Sequence, residues 1–347
     1  ESFEYINHSP DTLREIYIHL WPNAYSSGET ALALQIAENG NDKIGNALPE
    51  DLGFIDSLDF SKPFISTTNV IDLFSSEFGW DLFSVENGEL DLRLNKFSQP
   101  LTIATSIANW TVLKEYLPAP ILFMGYSAGE VSALGCAQDS NLSQIAKLTH
   151  IRCKTMEDFS PSRSGLLAIK GINKIDLLEL IGNKSIYIAI INAYDHFIVG
   201  GSEMELILLE DLMYSRGTWY KRLNVSVPSH TPLLKSATVQ FLSEMNNQSY
   251  SNNDLHLPIV QGINGMPSNK FDIAIKSIGN AISQTIYWNQ CMQFVIDSGV
   301  NVVLELGPGN SLSKLFTEFS PSISARSVSD FRTPEGVRNW LLSQPES

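Results

Sequence analysis

Residues 125–130 read Gly-Tyr-Ser-Ala-Gly-Glu. The apolar run Pro120-Ile-Leu-Phe-Met124 precedes them, and the small-residue stretch Val131-Ser-Ala-Leu-Gly-Cys-Ala137 follows. A serine between glycines at a strand-to-helix turn suits an activated hydroxyl nucleophile. Such a turn strains the serine backbone and leaves little room for neighbouring Cβ atoms, which flanking glycines relieve. The helix N-terminus beyond Ser127 would offer free N–H groups and positive dipole to a developing oxyanion. An ordinary tight turn carries the same residues, so two readings of Ser127 stand until a base is found.

The histidines are His8, His19, His150, His196, His230 and His256. His230 lies in Val227-Pro-Ser-His-Thr-Pro-Leu-Leu234, where prolines stiffen the segment and Thr231 is expected to cap the next helix. His150 falls in a helical pattern, His196 at the start of a strand away from the turn, and His256 in a polar loop. His230 is therefore the best-placed base. Arg152, in Leu148-Thr-His-Ile-Arg-Cys-Lys154, has two readings. It is a surface helix arginine, or a fixed guanidinium that grips a substrate carboxylate bidentately.

The elements that must position these groups follow from periodicity. Helical spacing predicts helices over 12–21, 67–80, 99–117 and 141–158. Apolar runs predict strands over 31–37 and 120–124, the first ending in a turn-rich segment, 38–45. Residues 165–226 have their own rhythm: strand Gly165–Gly171, helix Lys174–Ile181, strands Ser185–Ile191 and His196–Val199, helix Met204–Ser215, strand Trp219–Val225. That βαββαβ order is the split-βαβ, ferredoxin-like unit, here inserted between Ser127 and His230. Helix 232–246, strand 258–263, helices 271–284 and 288–298, and strand 300–306 follow. Alternation of β and α in the outer parts predicts a mostly parallel sheet covered on both faces.

Bulk properties narrow the class. With 347 residues, 43% of them hydrophobic, the chain has ample apolar material for a core. A net charge of −15 argues against nucleic acid as a partner, because phosphate binding needs a basic face. No run of 18 apolar residues predicts a membrane span. Cys136, Cys153 and Cys291 are too widely spaced for a disulfide framework or a zinc pattern. A reducing, cytoplasmic setting is expected, and Glu1-Ser-Phe-Glu-Tyr5 lacks a signal-peptide pattern.

Taken together, the motifs resemble the malonyl-CoA:acyl-carrier-protein transacylases. Gly125–Glu130 resembles their nucleophile turn, and Ser98-Gln-Pro-Leu101 their Gln-Pro helix start. Arg152 falls where they hold the substrate carboxylate, and Asn192 matches a buried asparagine. Val227–Leu234 matches the histidine segment, and Tyr287-Trp288 and Glu305-Leu-Gly-Pro-Gly309 match C-terminal landmarks. The likeness runs from about residue 31 to the end. Tyr126, the phrase Pro228-Ser-His-Thr-Pro-Leu-Leu234, and the tail Ala325–Arg332 with Gly336 and Trp340 resemble the malonate decarboxylase epsilon subunit. Freestanding acyltransferases of polyketide synthases are similar.

The resemblance implies a fold: an α/β-hydrolase-like core with a parallel sheet (31–160 and 228–347), an inserted ferredoxin-like subdomain (161–227) and an N-terminal extension (1–30). It also implies a ping-pong transfer. Ser127, with His230 as base, takes malonyl from coenzyme A and passes it to the phosphopantetheine thiol of an acyl carrier protein. No tightly bound cofactor is implied, and the coenzyme A thioester is substrate. Arg152 would hold the malonyl carboxylate, Tyr126 and Asn192 would line the acyl site, and the Ala128 N–H would be one oxyanion donor. A backbone carbonyl, rather than Asp195, would orient His230.

One segment departs from the family. Its Pro-Gly-Gln-Gly edge is replaced by Ile36-Ala-Glu-Asn-Gly40, so Asn39 would supply the second oxyanion N–H and Glu38 adds a carboxylate. Loss of such a donor costs about 2.7–4 kcal/mol in the barrier, whereas a backbone donor tolerates the exchange. Two further readings follow: a hydrolase that clears acyl groups from carriers, and a non-catalytic docking homologue. Lys154, Arg163, Lys221, Arg222, Arg326 and Arg332 are candidates to meet an acidic carrier, or are scattered solubilising charges.

Overall fold

The computed structural model describes residues 65–82, 92, 94–138, 141–248, 254–331 and 333–344. The elements expected over 12–21, 31–37 and 38–45 lie outside the described residues, as do Glu38, Asn39 and Arg332.

Helices α1 (Ile65–Phe78) and α2 (Asn95–Leu113) open the described chain. The expected start of α2 at the Gln-Pro pair is corrected: the helix begins at Asn95, and Pro100 sits inside it. Proline has no N–H, so the Lys96 carbonyl loses its usual helical donor there. Strand β1 (Phe123–Met124) is shorter than the apolar run suggests. It runs through the Ser127 turn into α3 (Ala128–Ala137), and α4 (Leu142–Asp158) follows. Gly135 lets α3 lie against its neighbour, since a Cβ there would meet Ile107 Cδ1 at 2.5 Å.

The inserted segment comprises β2 (Ser164–Lys170), α5 (Lys174–Ile181), β3 (Ile186–Ala193), β4 (His196–Ser202), α6 (Glu203–Arg216) and β5 (Trp219–Arg222). Its sheet has the order β3-β4-β2-β5, antiparallel at every pairing. Local signals fix its helices. Asn173 accepts from the Ile175 and Asp176 N–H groups, Ser202 accepts from Glu205 N–H, and Gly217 ends α6 in the left-handed region. Alternation along β2 divides the side chains. Leu167 and Ile169 face α5 and α6, while Leu166 and Ala168 face the rest of the molecule.

A short 3-10 turn, Pro232–Leu234, leads into α7 (Lys235–Asn246). Then come β6 (Asp254–Val260), β7 (Pro267–Lys270), α8 (Phe271–Ala281), α9 (Trp288–Asp297), β8 (Val302–Glu305), α10 (Ser311–Phe319), β9 (Ser324–Ser327) and α11 (Pro334–Leu342). β1 pairs with β6 in parallel, β7 joins β6 antiparallel, and β8 and β9 form a parallel pair. The expected mostly parallel sheet is thus present as short ladders, one of them mixed. β7 and β9 read Pro-Ser-Asn-Lys and Ser-Ala-Arg-Ser, with no apolar run to announce them. Pairing supplies their strand character. His256 sits on β6 rather than in a loop.

The main core joins α1–α4, α7, α8 and β6 through residues such as Phe74, Ile103, Leu134, Leu148 and Phe241. A second cluster seats the inserted sheet on Trp288, Met292 and Phe316. Backbone bonds join the two parts: Ile191 N–H to Ile286 O and Ile286 N–H to Ala189 O, each 2.9 Å.

Candidate active site

The turn between β1 and α3 strains its serine. Ser127 has φ 56° and ψ −113°, in the region that L residues avoid. Gly125 makes the turn sterically possible: a Cβ there would lie 1.9 Å from the Gly129 carbonyl carbon. Gly129 carries no such constraint, since a Cβ would meet nothing within 4 Å among the described residues. The expectation of two needed glycines is therefore corrected to one. Ala128 is the first residue of α3, so its N–H has no acceptor within the helix and faces outward at the positive end.

His230 reaches this serine from 103 residues away, with Ser127 Oγ and His230 Nε2 2.7 Å apart. The histidine also has positive φ, 63°. Two consecutive carbonyls at the end of α8 hold it. Its backbone N–H donates to Ile282 O at 2.9 Å, and Nδ1 contacts Ala281 O. A carbonyl only accepts, so Nδ1 carries the proton and Nε2 is left to accept from the serine. Burial and the Arg152 charge push the His230 pKa down to about 3, so the ring stays neutral. Thr231 does not cap the following turn as expected; its hydroxyl donates to Pro228 O at 2.6 Å. That bond closes the histidine segment on itself.

Arg152 is almost fully buried, which excludes the surface reading. Its Nη1 donates to Gln99 Oε1, and Nε has no partner among the described residues. Burial lowers the guanidinium pKa, and its charge is felt at both His230 and Glu130. Gln99, which also contacts Met156 Sδ at 3.7 Å, is an orienting group that the sequence pattern offered only as part of a helix start.

Tyr126 packs beside α9. Its ring stands edge-on to Trp288 at 5.1 Å, and its hydroxyl bonds to Asn192. Burial raises its pKa, so it stays protonated. Asn192, buried at the end of β3, also borders a groove of about 290 Å³ with Lys170, His196, Leu315 and Glu318. Its Oδ1 has no partner among the described residues. The structure thus brings together Ser127, His230 and Ala128, with the Arg152 charge close by, while Asn192 meets the neighbouring Tyr126. Asn39 lies outside the described residues.

Glu130, three residues after Ser127, was not singled out by sequence and is 1% exposed. Burial raises its pKa to about 7. Among the candidate docking cations, Lys154, Arg163, Arg222 and Arg326 are paired with Asp158, Glu203, Glu210 and Asp330. Their charge is largely offset locally, which favours the solubilising reading for these four. Among the described residues no helix is long and apolar enough to cross a membrane, and no cluster of acidic, histidine or cysteine side chains could hold a metal.

Known proteins resemble this chain in sequence and fold. A malonyl CoA-acyl carrier protein transacylase of Haemophilus influenzae is 28% identical over 285 residues, covering 77% of this chain and 88% of that protein. One of Bacillus subtilis is 26% identical over 252 residues, covering 70% of this chain and 62% of that protein. The crystal structure of FabD from Acinetobacter baumannii superposes with TM-score 0.72 at 27% identity, covering 80% of this chain and 90% of that one. A type II PKS malonyl-transacylase, solved in complex with its acyl-carrier protein, shares the fold with TM-score 0.73 at 23% identity, covering 80% and 92%. Residues 65–318 match the family described as the acyl transferase domain, and the chain belongs to that family.

Proposed function

We propose that the chain transfers a malonyl group from coenzyme A to the phosphopantetheine thiol of an acyl carrier protein. The observation that carries this reading is the 2.7 Å Ser127–His230 contact with a buried arginine charge beside it. Ser127 Oγ attacks the thioester carbonyl while His230 Nε2 takes the hydroxyl proton. The C–S bond breaks, and the imidazolium returns the proton to the departing sulfur. The carrier thiol then attacks the malonyl-serine ester while His230 Nε2 takes the thiol's proton and passes it to the departing Ser127 Oγ. Ala128 N–H, with a second donor from Asn39, stabilises the oxyanion.

Arg152 pairs with the malonyl carboxylate, and Gln99 fixes its planar fork. An uncharged acyl group leaves this buried cation unpaired, which is the source of selectivity. Tyr126 and Asn192 bound the acyl site. The parts take the roles of a hydrolase-like core (31–160 and 228–347), a ferredoxin-like subdomain (161–227) and an extension (1–30). The order β3-β4-β2-β5 supports the second assignment. In this reading no cofactor is tightly bound, and the protein works in the cytoplasm.

Intact-protein mass after brief incubation with malonyl-CoA tests this. A malonyl-sized increase is expected on the wild type and not with acetyl-CoA or in Ser127→Ala. Free coenzyme A without an adduct would point to hydrolysis, and neither adduct nor free coenzyme A would reject acyl transfer.

A further inference from the structure

Two helices carry the reacting pair. α3 begins directly after Ser127, and α8 ends in the Ala281 carbonyl that contacts His230 Nδ1. A buried polar contact joins the two helices. Ser277 Oγ donates to Glu130 Oε1 at 2.5 Å, between side chains each 1% exposed and 147 residues apart. Glu130 lies three residues after the nucleophile. Ser277 lies four residues before Ala281, one helical turn or about 6 Å along the axis. The surroundings leave Glu130 little freedom. A Cβ on Gly262 would sit 3.1 Å from Oε2, and the Gly262 backbone lies against the carboxylate.

Resting on the acyl-transfer reading, we propose that Glu130 is a positioning residue: through Ser277 it locks the nucleophile's helix to the helix that orients His230, and so sets the serine–histidine distance. A buried carboxylate with one strong donor is an effective clamp, because leaving it unmade strands a desolvated group. The carboxylate titrates near neutrality, so the clamp tightens as it ionises and accepts the Ser277 proton more strongly. The charged and titratable groups around it are Arg152 from α4, whose charge favours ionisation, and Cys291 from α9, whose thiol is itself held protonated.

The test follows labelling of Ser127 by a serine-directed fluorophosphonate, which needs only nucleophile and base, alongside acylation by malonyl-CoA. Ser277→Ala is expected to slow both about tenfold, the equivalent of one lost hydrogen bond, with KM for malonyl-CoA within twofold of wild type. Glu130→Gln keeps an acceptor for Ser277. It is expected to label within about threefold of wild type and to lose the inflection near neutral pH that wild type shows. Unchanged labelling in Ser277→Ala, or an inflection that survives in Glu130→Gln, overturns the proposal. If wild type takes no malonyl group while Ser277→Ala still labels slowly, the malonyl reading fails and the clamp stands.

Discussion

The sheet segment 164–222 and the Ser127–His230 site are built by opposite means. In the insert, ladders between β2, β3, β4 and β5 pair most residues within about 60 positions of one another, and one sheet face is filled by its own α5 and α6. At the centre, single long-range contacts do the work. Ser127 meets His230 across 103 residues, His230 meets Ala281 across 51, and Glu130 meets Ser277 across 147. The first arrangement spreads stability over many bonds. The second concentrates geometry in a few, so the same loss of energy should affect stability in one region and rate in the other.

Substitutions should expose that division. Arg152→Ala removes a buried charge partner, for which about 2–5 kcal/mol is usual. Malonyl acylation of Ser127 should fall by that equivalent, while the ratio of acetyl to malonyl acylation rises. Leu209→Ala, in a fully buried position of the insert, should lower unfolding free energy by about 2–5 kcal/mol in urea titrations while leaving acylation per folded molecule near wild type. Gly200→Ala probes the seam. Its Cβ would come within 2.8 Å of Leu166 Cδ2 and Thr231 Cγ2, coupling the insert to the histidine segment. A stability loss of about 1–3 kcal/mol should therefore come with slower acylation.

The smallest effect is a slope in pH. His230 is held near 3, below its ordinary value of about 6.5, so its contribution is present above about 6.5 and is lost as pH falls towards 3. Glu130 is held near 7, above its ordinary value of about 4.3, so its contribution is present at low pH and is lost as pH rises through 7. The two oppose each other across mildly acidic pH. Urea midpoints should show the stability of wild type relative to Glu130→Gln falling between about pH 4.5 and 8.

What the sequence disclosed follows the same division. The insert was readable nearly element by element, because apolar runs and caps such as Asn173 and Ser202 are local. The Ser127 turn was readable too, since Gly125 and the small-residue helix are its immediate neighbours. The prolines around His230 marked a rigid segment. Nothing in the sequence near His230 named the Ala281 carbonyl, and nothing near Arg152 named Gln99. Those partners exist only once distant helices pack. Thr231 departs from the expected cap because its hydroxyl donates to the local Pro228 carbonyl at 2.6 Å, a backbone partner that competes with capping. α11 carries a local signal of its own, Thr333-Pro334 as cap and first residue.

The most direct measurement is the mass of a phosphopantetheine-bearing acyl carrier protein incubated with malonyl-CoA and this chain. The account predicts a malonyl-sized increase on the carrier that scales with enzyme and vanishes with Ser127→Ala. Release of coenzyme A and malonate with the carrier left unmodified would contradict it.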